Sequence, residues 1–498
     1  MADGSTSSGL LLGLDVGTTA CKTVLLDAQG SLRASAFAHY DLSTPRPLWS
    51  EQDPDDWWKA TIASIGQVLR EAKAEPGQIA GVGLTGQMHG MVLLDDTGAV
   101  LRPAILWNDQ RCAEACDQIH RLVGRDTMLQ RTGKPVLTGF TAPKILWVRA
   151  HEPEVFAATA RMLLPKDFVR FRLTGKFLTD VADASGTSLF DVGKRRWSDE
   201  IIETLQVPRA WLPDVTESPV ASATVSAEGA RQTGLVQGTP VIAGAGDQAA
   251  EAIGCGVIDD GSVSVTIGTS GVVFAATDSF DVDRTGRLHA YCHAVPGMWH
   301  VMGVMLSAGG SLRWYRDTLG GDTYDRLIEA ASQVAPGCEG LLFLPYLTGE
   351  RTPHADPHAR GAFVGLTLRH GKAHLTRAVL EGVTFGLKDS LELVRALGVT
   401  VTKVRVSGGG ARSPMWRQMM ADVFGVEVVT VNVTQGAAFG AALLAGVGTG
   451  AWPDVPQAAR SVVRETGSAH PGADAATYEE PYQRYRALYP ALAPGFAR

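Results

Sequence analysis

The sequence predicts an α/β protein of two matching halves, and three observations carry that reading. At 498 residues the chain is too long for one core and fits two domains of ordinary size. Short apolar runs with strand periodicity alternate with longer helical segments. A hairpin pattern at Leu11–Asp27 returns at Gly261–Ala275. The expected layout is a polar tail over 1–10, a first domain over 11–257, a second over 258–450, and a loop with a helix over 451–498.

The totals narrow the class. Hydrophobic residues at 45% and charged residues at 19% describe a soluble globular chain. A net charge of −7 argues against nucleic-acid or anionic-membrane partners, which want basic patches. Six scattered cysteines without a C-x-x-C pair suit a reducing cytosol and indicate neither a disulfide framework nor zinc. Residues 1–9 lack the basic and apolar regions of a leader, and Gly436–Trp452 falls short of a membrane span, so a cytoplasmic location is expected. Oligomeric state is left open, a homodimer being one option.

In chain order, Leu11–Val16 and Thr23–Leu26 flank the first turn, and Ser31–Phe37 adds a third strand. A helix follows from Asp53, with Pro54 in its first turn and Trp57 and Trp58 as core anchors. Strand Ala80–Thr85 leads to the polar tip Gly86–Gly90 and to strand Met91–Leu94. Polar clusters recur at Leu106–Arg111, Leu163–Asp167 and Asp180–Thr187, and a helix begins within Phe140–Trp147. Strand Thr239–Ala243 empties into Gly244–Ala250, which places Asp247 at a strand-to-helix junction. The second half repeats the hairpin, then offers helix His374–Leu397 with one apolar stripe and strand Lys403–Val406. The glycines Gly408–Gly410 follow before a helix near Pro414, then strand Val426–Thr430, an Ala/Gly helix from Gln435 that closes the domain, and a terminal helix near Tyr478–Leu492.

Three turns carry phosphate-binding signals: Gly17-Thr18-Thr19, Gly268-Thr269-Ser270-Gly271 and Gly408–Ala411. Glycine lets backbone approach a phosphate closely, and hydroxyls donate to its oxygens. The carboxylate of Asp15 beside the first turn needs a cation to tolerate a phosphate, which suggests magnesium. Two matching hairpins imply two domains facing one nucleotide. No G-x-x-x-x-G-K-[S/T] occurs, and no N-terminal G-x-G-x-x-G, so neither a P-loop nor a dinucleotide fingerprint is present. Asp247 reads as a catalytic base or as a helix N-cap. His89 reads as a contact to a substrate hydroxyl or as a satisfied buried histidine. Gln87, Asn108, Asp109 and Arg111 read as sugar ligands or as ordinary loop polars, and Trp314 and Trp416 as base-stacking or core residues.

Taken in order, Gly13–Thr18, Trp49–Pro54, Gly86–Gly90, Trp107–Asp109, Phe140–Lys144, Leu164–Asp167, Gly246-Asp247, Ile267–Gly271, Gly349–Pro353 and Gly408–Arg412 resemble the FGGY carbohydrate kinases over nearly the whole chain. Phe140–Trp147 and Gly361–Glu381 are similar to that family's signatures. The resemblance implies two actin-like (ribonuclease H-like, ASKHA) domains, each a mixed sheet flanked by helices, with a cleft between them. It implies ATP and Mg2+, with the nucleotide on the second domain and the sugar on the first. Asp247 would be the base, and Asp15 with Asp247 would hold the metal. Gln87, Met88, His89, Asn108, Asp109, Asp247 and Gln248 would meet the sugar. Gly17, Thr18, Thr19, Gly268, Thr269, Ser270, Gly409, Gly410 and Arg412 would meet the nucleotide. Within the family, Gln87-Met88-His89-Gly90 points to xylulose, and Gln248 departs from an asparagine common at that place. Kinases of ribulose, arabinitol or glycerol are the rivals, with a nucleotide-switched binding protein on an actin-like fold further off.

Overall fold

The computed structural model describes residues 9–319 and 321–496. The reading of residues 1–8 as a loose tail lies outside them. The first sheet is built from β1 (Leu10–Val16), β2 (Ala20–Leu26), β3 (Leu32–His39), β4 (Ile79–Gly86), β5 (Ala221–Thr224) and β6 (Pro240–Ile242). Their order is β5-β6-β4-β1-β2-β3, with β1 antiparallel to β2 and parallel to β4. The second sheet holds β7 (Val263–Ile267), β8 (Gly271–Thr277), β9 (His289–Cys292), β10 (Trp299–Met305), β11 (Lys403–Gly408), β12 (Glu427–Val431) and β13 (Glu465–Ala469). Its order is β9-β10-β8-β7-β11-β12-β13, again a hairpin whose first strand lies parallel to a later one. Apart from the added edge strand β9, and from the short strand Ala245–Gly246 that pairs parallel with β4 in the first sheet, the two sheets share one pairing pattern.

Alternation along β1 sorts its two faces, as a period of two residues requires. Leu12, Leu14 and Val16 pack with Trp57, Ile65 and Val68 of α1 (Pro54–Ala72), whose N-terminus is capped by the Asp53 side chain. Leu11 faces the other way, toward Ala438 and Ala442. Gly13 and Asp15 share that second face by parity.

Four further helices matter for the site: α2 (Asp247–Gly254), α3 (Lys372–Ala396), α4 (Pro414–Phe424) and α5 (Ala437–Gly448). The Ala/Gly helix α5, expected to close the second domain, instead lies across β1 and β4 of the first sheet and is covered by α2. Small residues make this possible. A Cβ on Gly13 would overlap the Ala438 carbonyl oxygen, one on Gly83 the Ala441 carbonyl oxygen, and one on Gly440 the Ala250 carbonyl oxygen. Helix α3 also departs from expectation, being buried on nearly every side from Thr376 to Leu387 instead of along one stripe. The cause is cover by α4, by strand Leu342–Leu344 and by α7 (Glu479–Leu492). Beyond residue 450 the chain is more than a loop and a helix. It adds α6 (Val455–Val462), and β13 pairs antiparallel with β12 as the edge of the second sheet.

Gly83→Ala is expected to destabilise by ~3 kcal/mol or more, because backbone has to move before the methyl fits. Gly77→Ala, where a Cβ meets open space, is the control, expected within ~0.5 kcal/mol. Thermal and denaturant unfolding of both variants checks this.

Candidate active site

Three buried carboxylates act on one another by charge where the two repeats face each other. Asp15 is the penultimate residue of β1, Asp247 is the first residue of α2, and Glu251 stands one helical turn further on the same helix face. Gly246, not Asp247, takes the cap position, so the Asp247 carboxylate is not spent on capping. Oδ1 of Asp15 is buried without a hydrogen-bond partner. Burial, reinforced by Glu251, pushes the Asp15 carboxyl up to about 6 against the opposing pull of Lys22. Burial, with Asp15 and Glu251 adding their charge, raises Asp247 to about 7. Glu251 is raised by burial as well, and it accepts from Ser407 Oγ at 3.2 Å and Thr266 Oγ1 at 3.3 Å. Lys22 is paired across the hairpin with Asp15 and donates to the Gln435 carbonyl at 3.1 Å. The sequence reading missed Glu251; its i+4 spacing from Asp247 was the available signal.

An orphaned carboxylate oxygen on Asp15, and like charges that raise one another's proton affinity, are features that a cation would relieve. Among the described residues no three His, Cys, Asp or Glu side chains gather closely enough to cage a metal. Magnesium held by Asp15 and Asp247 would therefore take its other ligands from phosphate and water, its ordinary habit.

The hydroxyl turns are braced from behind. Tyr40 Oη donates to the Gly17 carbonyl at 2.5 Å, and Gln52 Nε2 to the Thr18 carbonyl at 2.7 Å. Trp107 Nε1 donates to Thr18 Oγ1 at 3.1 Å, which leaves that hydroxyl's own proton free for a phosphate. The Thr19 carbonyl accepts from Tyr40 N at 3.2 Å. In the second turn Gly268 N donates to the Ser270 carbonyl at 2.9 Å, while the Thr269 carbonyl accepts from Ala308 N and Gly310 N. A cavity of ≈730 Å³, the size of a small-ligand site, opens beside this turn. Gly268, Thr269, Gly409, Gly410 and Arg412 line it as expected, and Ser270 does not. A Cβ on Gly409 would stand in open space. Gly309, Gly310 and Tyr324 line the cavity too and were not foreseen, although a glycine pair opening a helix after β10 was a readable signal. Trp416 is both core and wall: it is buried, donates to Thr384 Oγ1 at 2.9 Å, and borders the cavity. Trp314 stacks on Phe343 and does not line it.

On the other side, the 86–90 loop meets the second half. Met88 packs with Tyr291, Met302 and Val304, and a Cβ on Gly246 would press on its side chain at 2.8 Å. His89 has φ 69°, a left-handed backbone that its carbonyl stabilises by accepting from Lys144 Nζ at 2.7 Å and Thr141 Oγ1 at 3.2 Å. Its Nδ1 lies 2.8 Å from the Gly186 carbonyl, and burial pushes the ring's pKa well down. A carbonyl only accepts, so Nδ1 carries the proton and Nε2 is left as an acceptor. Gln87 is buried, donating with Trp57 to Gln52 Oε1 at 2.9 and 3.0 Å, while its own Oε1 is buried and unpartnered. Asn108 likewise keeps a buried, unpartnered Oδ1. Gln248 donates to Asp247 Oδ1 at 3.4 Å.

Asp109 is a correction. It is fully buried, with Oδ2 accepting from Ser50 N and Arg111 Nη2 at 2.7 Å and Oδ1 from Arg111 N at 2.9 Å. Arg111 also pairs with Glu51 and lies over the Trp49 ring. The pair anchors the loop from inside and has no oxygen turned out for a sugar. The polar groups at 163–167 and 180–187 are likewise internal, with Lys166 Nζ 2.6 Å from Asp180 and 2.5 Å from Asp167.

Two repeated sheets, a hydroxyl turn on each and a carboxylate helix between them define an actin-like phosphotransferase with a cleft for nucleotide and acceptor. The chain belongs to the FGGY family of carbohydrate kinases, matching its N-terminal domain over residues 10–254 and its C-terminal domain over 263–449. It is 40% identical to the xylulose kinase of Escherichia coli K12, covering 97% of this chain and 99% of that one. It is 42% identical to the xylulose kinase of Klebsiella pneumoniae over 88% of this chain and 90% of that one. The crystal structure of a xylulose kinase from Rhodospirillum rubrum superposes with a TM-score of 0.91 at 31% identity, covering 98% of this chain and 100% of that chain.

The raised affinity of Asp247 for a proton has a stability consequence whose sign is definite. The folded value of about 7 lies above the ordinary 3.8, so ligand-free protein loses stability as pH rises from about 4 through 7. Asp247→Asn removes that loss. The variant is expected to melt above the parent at pH 8, with the gap closing toward pH 4 and a ceiling of ~4 kcal/mol. Melting curves of both proteins across that range, without nucleotide or metal, check it.

Proposed function

We propose that this protein transfers the γ-phosphoryl group of ATP to the terminal primary hydroxyl of D-xylulose, giving D-xylulose 5-phosphate and feeding xylose carbon into the pentose phosphate pathway. Near full-length similarity to relatives named xylulose kinase supports the choice of sugar. One placement carries the mechanism: the carboxylate of Asp247 follows directly on the residue packed against Met88, and the charge of Asp15, beside the first hydroxyl turn, acts on it.

A sugar hydroxyl is too weak an acid to ionise before it reacts. In a loose phosphoryl transition state its proton leaves late, so a positioned carboxylate suffices. Asp247 accepts that proton while the alcohol oxygen bonds to the γ-phosphorus and the bond to ADP breaks. Gln248 holds Oδ1 of the base, and Nε2 of His89 accepts from a second sugar hydroxyl. Thr18, Thr269 and the backbone of both turns spread the charge on the phosphoryl oxygens. Asp15 and Asp247 would hold magnesium, which would supply positive charge to the triphosphate. Six buried free thiols suit a reducing compartment such as the cytoplasm, and among the described residues no helix is long and apolar enough to cross a membrane.

Asp247→Asn is expected to lower kcat by ~10²–10⁴-fold with D-xylulose while ATP binding persists. Turnover close to that of the parent enzyme would remove Asp247 as base. Across a panel of xylulose, ribulose, arabinitol and glycerol, xylulose is expected to give the highest kcat/KM. His89→Asn is expected to raise the sugar KM by ~10-fold, one hydrogen bond's worth, with the ATP KM within twofold.

A further inference from the structure

The loop Gly349–Pro353 carries a cation that the mechanism above leaves unused. Residues on both sides of Arg351 are fastened to β10. Leu306 N donates to Glu350 Oε1 at 2.9 Å, Thr352 N donates to the Val304 carbonyl at 3.0 Å, and Val304 N donates to Thr352 Oγ1 at 3.0 Å. Thr352 Oγ1 in turn donates to the Arg287 carbonyl at 2.9 Å. Val304 belongs to the buried cluster that Met302 and Tyr291 form with Met88, so Arg351 leaves the backbone at the wall opposite the 86–90 loop.

Its guanidinium has no hydrogen bond or ion pair among the described residues. The other deeply placed arginines are paired: Arg111 with Asp109, Arg170 with Asp167, Arg377 with Glu381. The adjacent Glu350 does not serve, because its Oε1 faces the amides of Leu306 and Arg351 and burial pushes its carboxyl up to about 8. The cation nevertheless makes itself felt in the sugar pocket, where it helps keep His289 and His89 neutral. A sheltered guanidinium without an acceptor is a costly arrangement that a ligand oxygen relieves.

We propose that Arg351 is a sugar-binding residue, reaching from the nucleotide half across the cleft to hydrogen-bond the acceptor held against Met88 and His89. This rests on the sugar pocket proposed above. The planar fork presents parallel N–H donors, which suits two neighbouring oxygens of a polyhydroxylated ketose better than a lone hydroxyl. Because the loop rides on the nucleotide half, the contact also makes sugar affinity depend on how that half is seated.

The test uses Arg351→Gln and Arg351→Lys in the full chain. KM is measured separately for D-xylulose and ATP, and D-xylulose is titrated calorimetrically without nucleotide. His89→Asn is run alongside, and melting temperatures are recorded for all. Both substitutions are expected to raise the sugar KM and Kd by at least ~10-fold with the ATP KM within twofold, and lysine is expected to restore only part of the loss. If glutamine impairs folding, the lysine variant carries the measurement. An unchanged sugar KM, or an ATP KM that rises as far as the sugar KM, overturns the assignment. If His89→Asn weakens sugar binding and the Arg351 variants do not, the pocket stands and Arg351 is excluded from it. If none of the three moves sugar binding, the pocket reading falls together with this one.

Discussion

The contact on which the rest depends is the backbone-to-backbone approach of an Ala/Gly helix to two central strands. Helix α5 rests on β1 and β4 where Gly13 and Gly83 leave no Cβ in the way, and α2 rests on α5 where Gly440 does the same. That stacking decides how far Asp247 stands from Asp15. A single methyl at any of these glycines would overlap the backbone of the element packed against it. Glycine is costly within regular structure, and here close packing offsets that cost.

The same stacking concentrates negative charge. Asp15, Asp247 and Glu251 share a sheltered space with Lys22 as their near cation, and the carboxyls of the first two rise to about 6 and 7. Such a group is poorly stable when empty. Stability is given up at the site so that the site favours its ligand, a familiar trade in enzymes. Glu251 takes part twice, by its charge and by accepting from Thr266 and Ser407 at the ends of β7 and β11. In this way α2 is tied to β7 and β11, the two strands that lead into the glycine turns.

Much of this was legible in the sequence because it is local. Strand alternation placed β1, β2, β7 and β8, the turn residues placed the hydroxyl loops, and the Asp53-Pro54 pair started α1 where the structure starts it. The strand-to-helix junction at Asp247 could be read, but whether its carboxylate would cap the helix could not, since that depends on where Gly246 sits. What escaped is non-local. Nothing near residue 440 says that its helix covers strands made from residues 10 to 86. Asp109 looked like a free loop polar because Ser50, its partner, is far away in the chain, while the role of Arg111 beside it turned on the unseen Glu51. The strand at 465–469, half exposed and rich in small residues, gave no apolar pattern, and only its pairing with β12 makes it a strand.

The position of α5 also bears on how the chain is made. The first sheet is complete once strand Ala245–Gly246 has been synthesised, yet the helix that shields one of its faces comes only with residues 437–448. On the ribosome that apolar face waits uncovered through the whole synthesis of the second half. The early half cannot finish folding on its own schedule. The cover of that face is therefore completed only when residues 437–448 have been made.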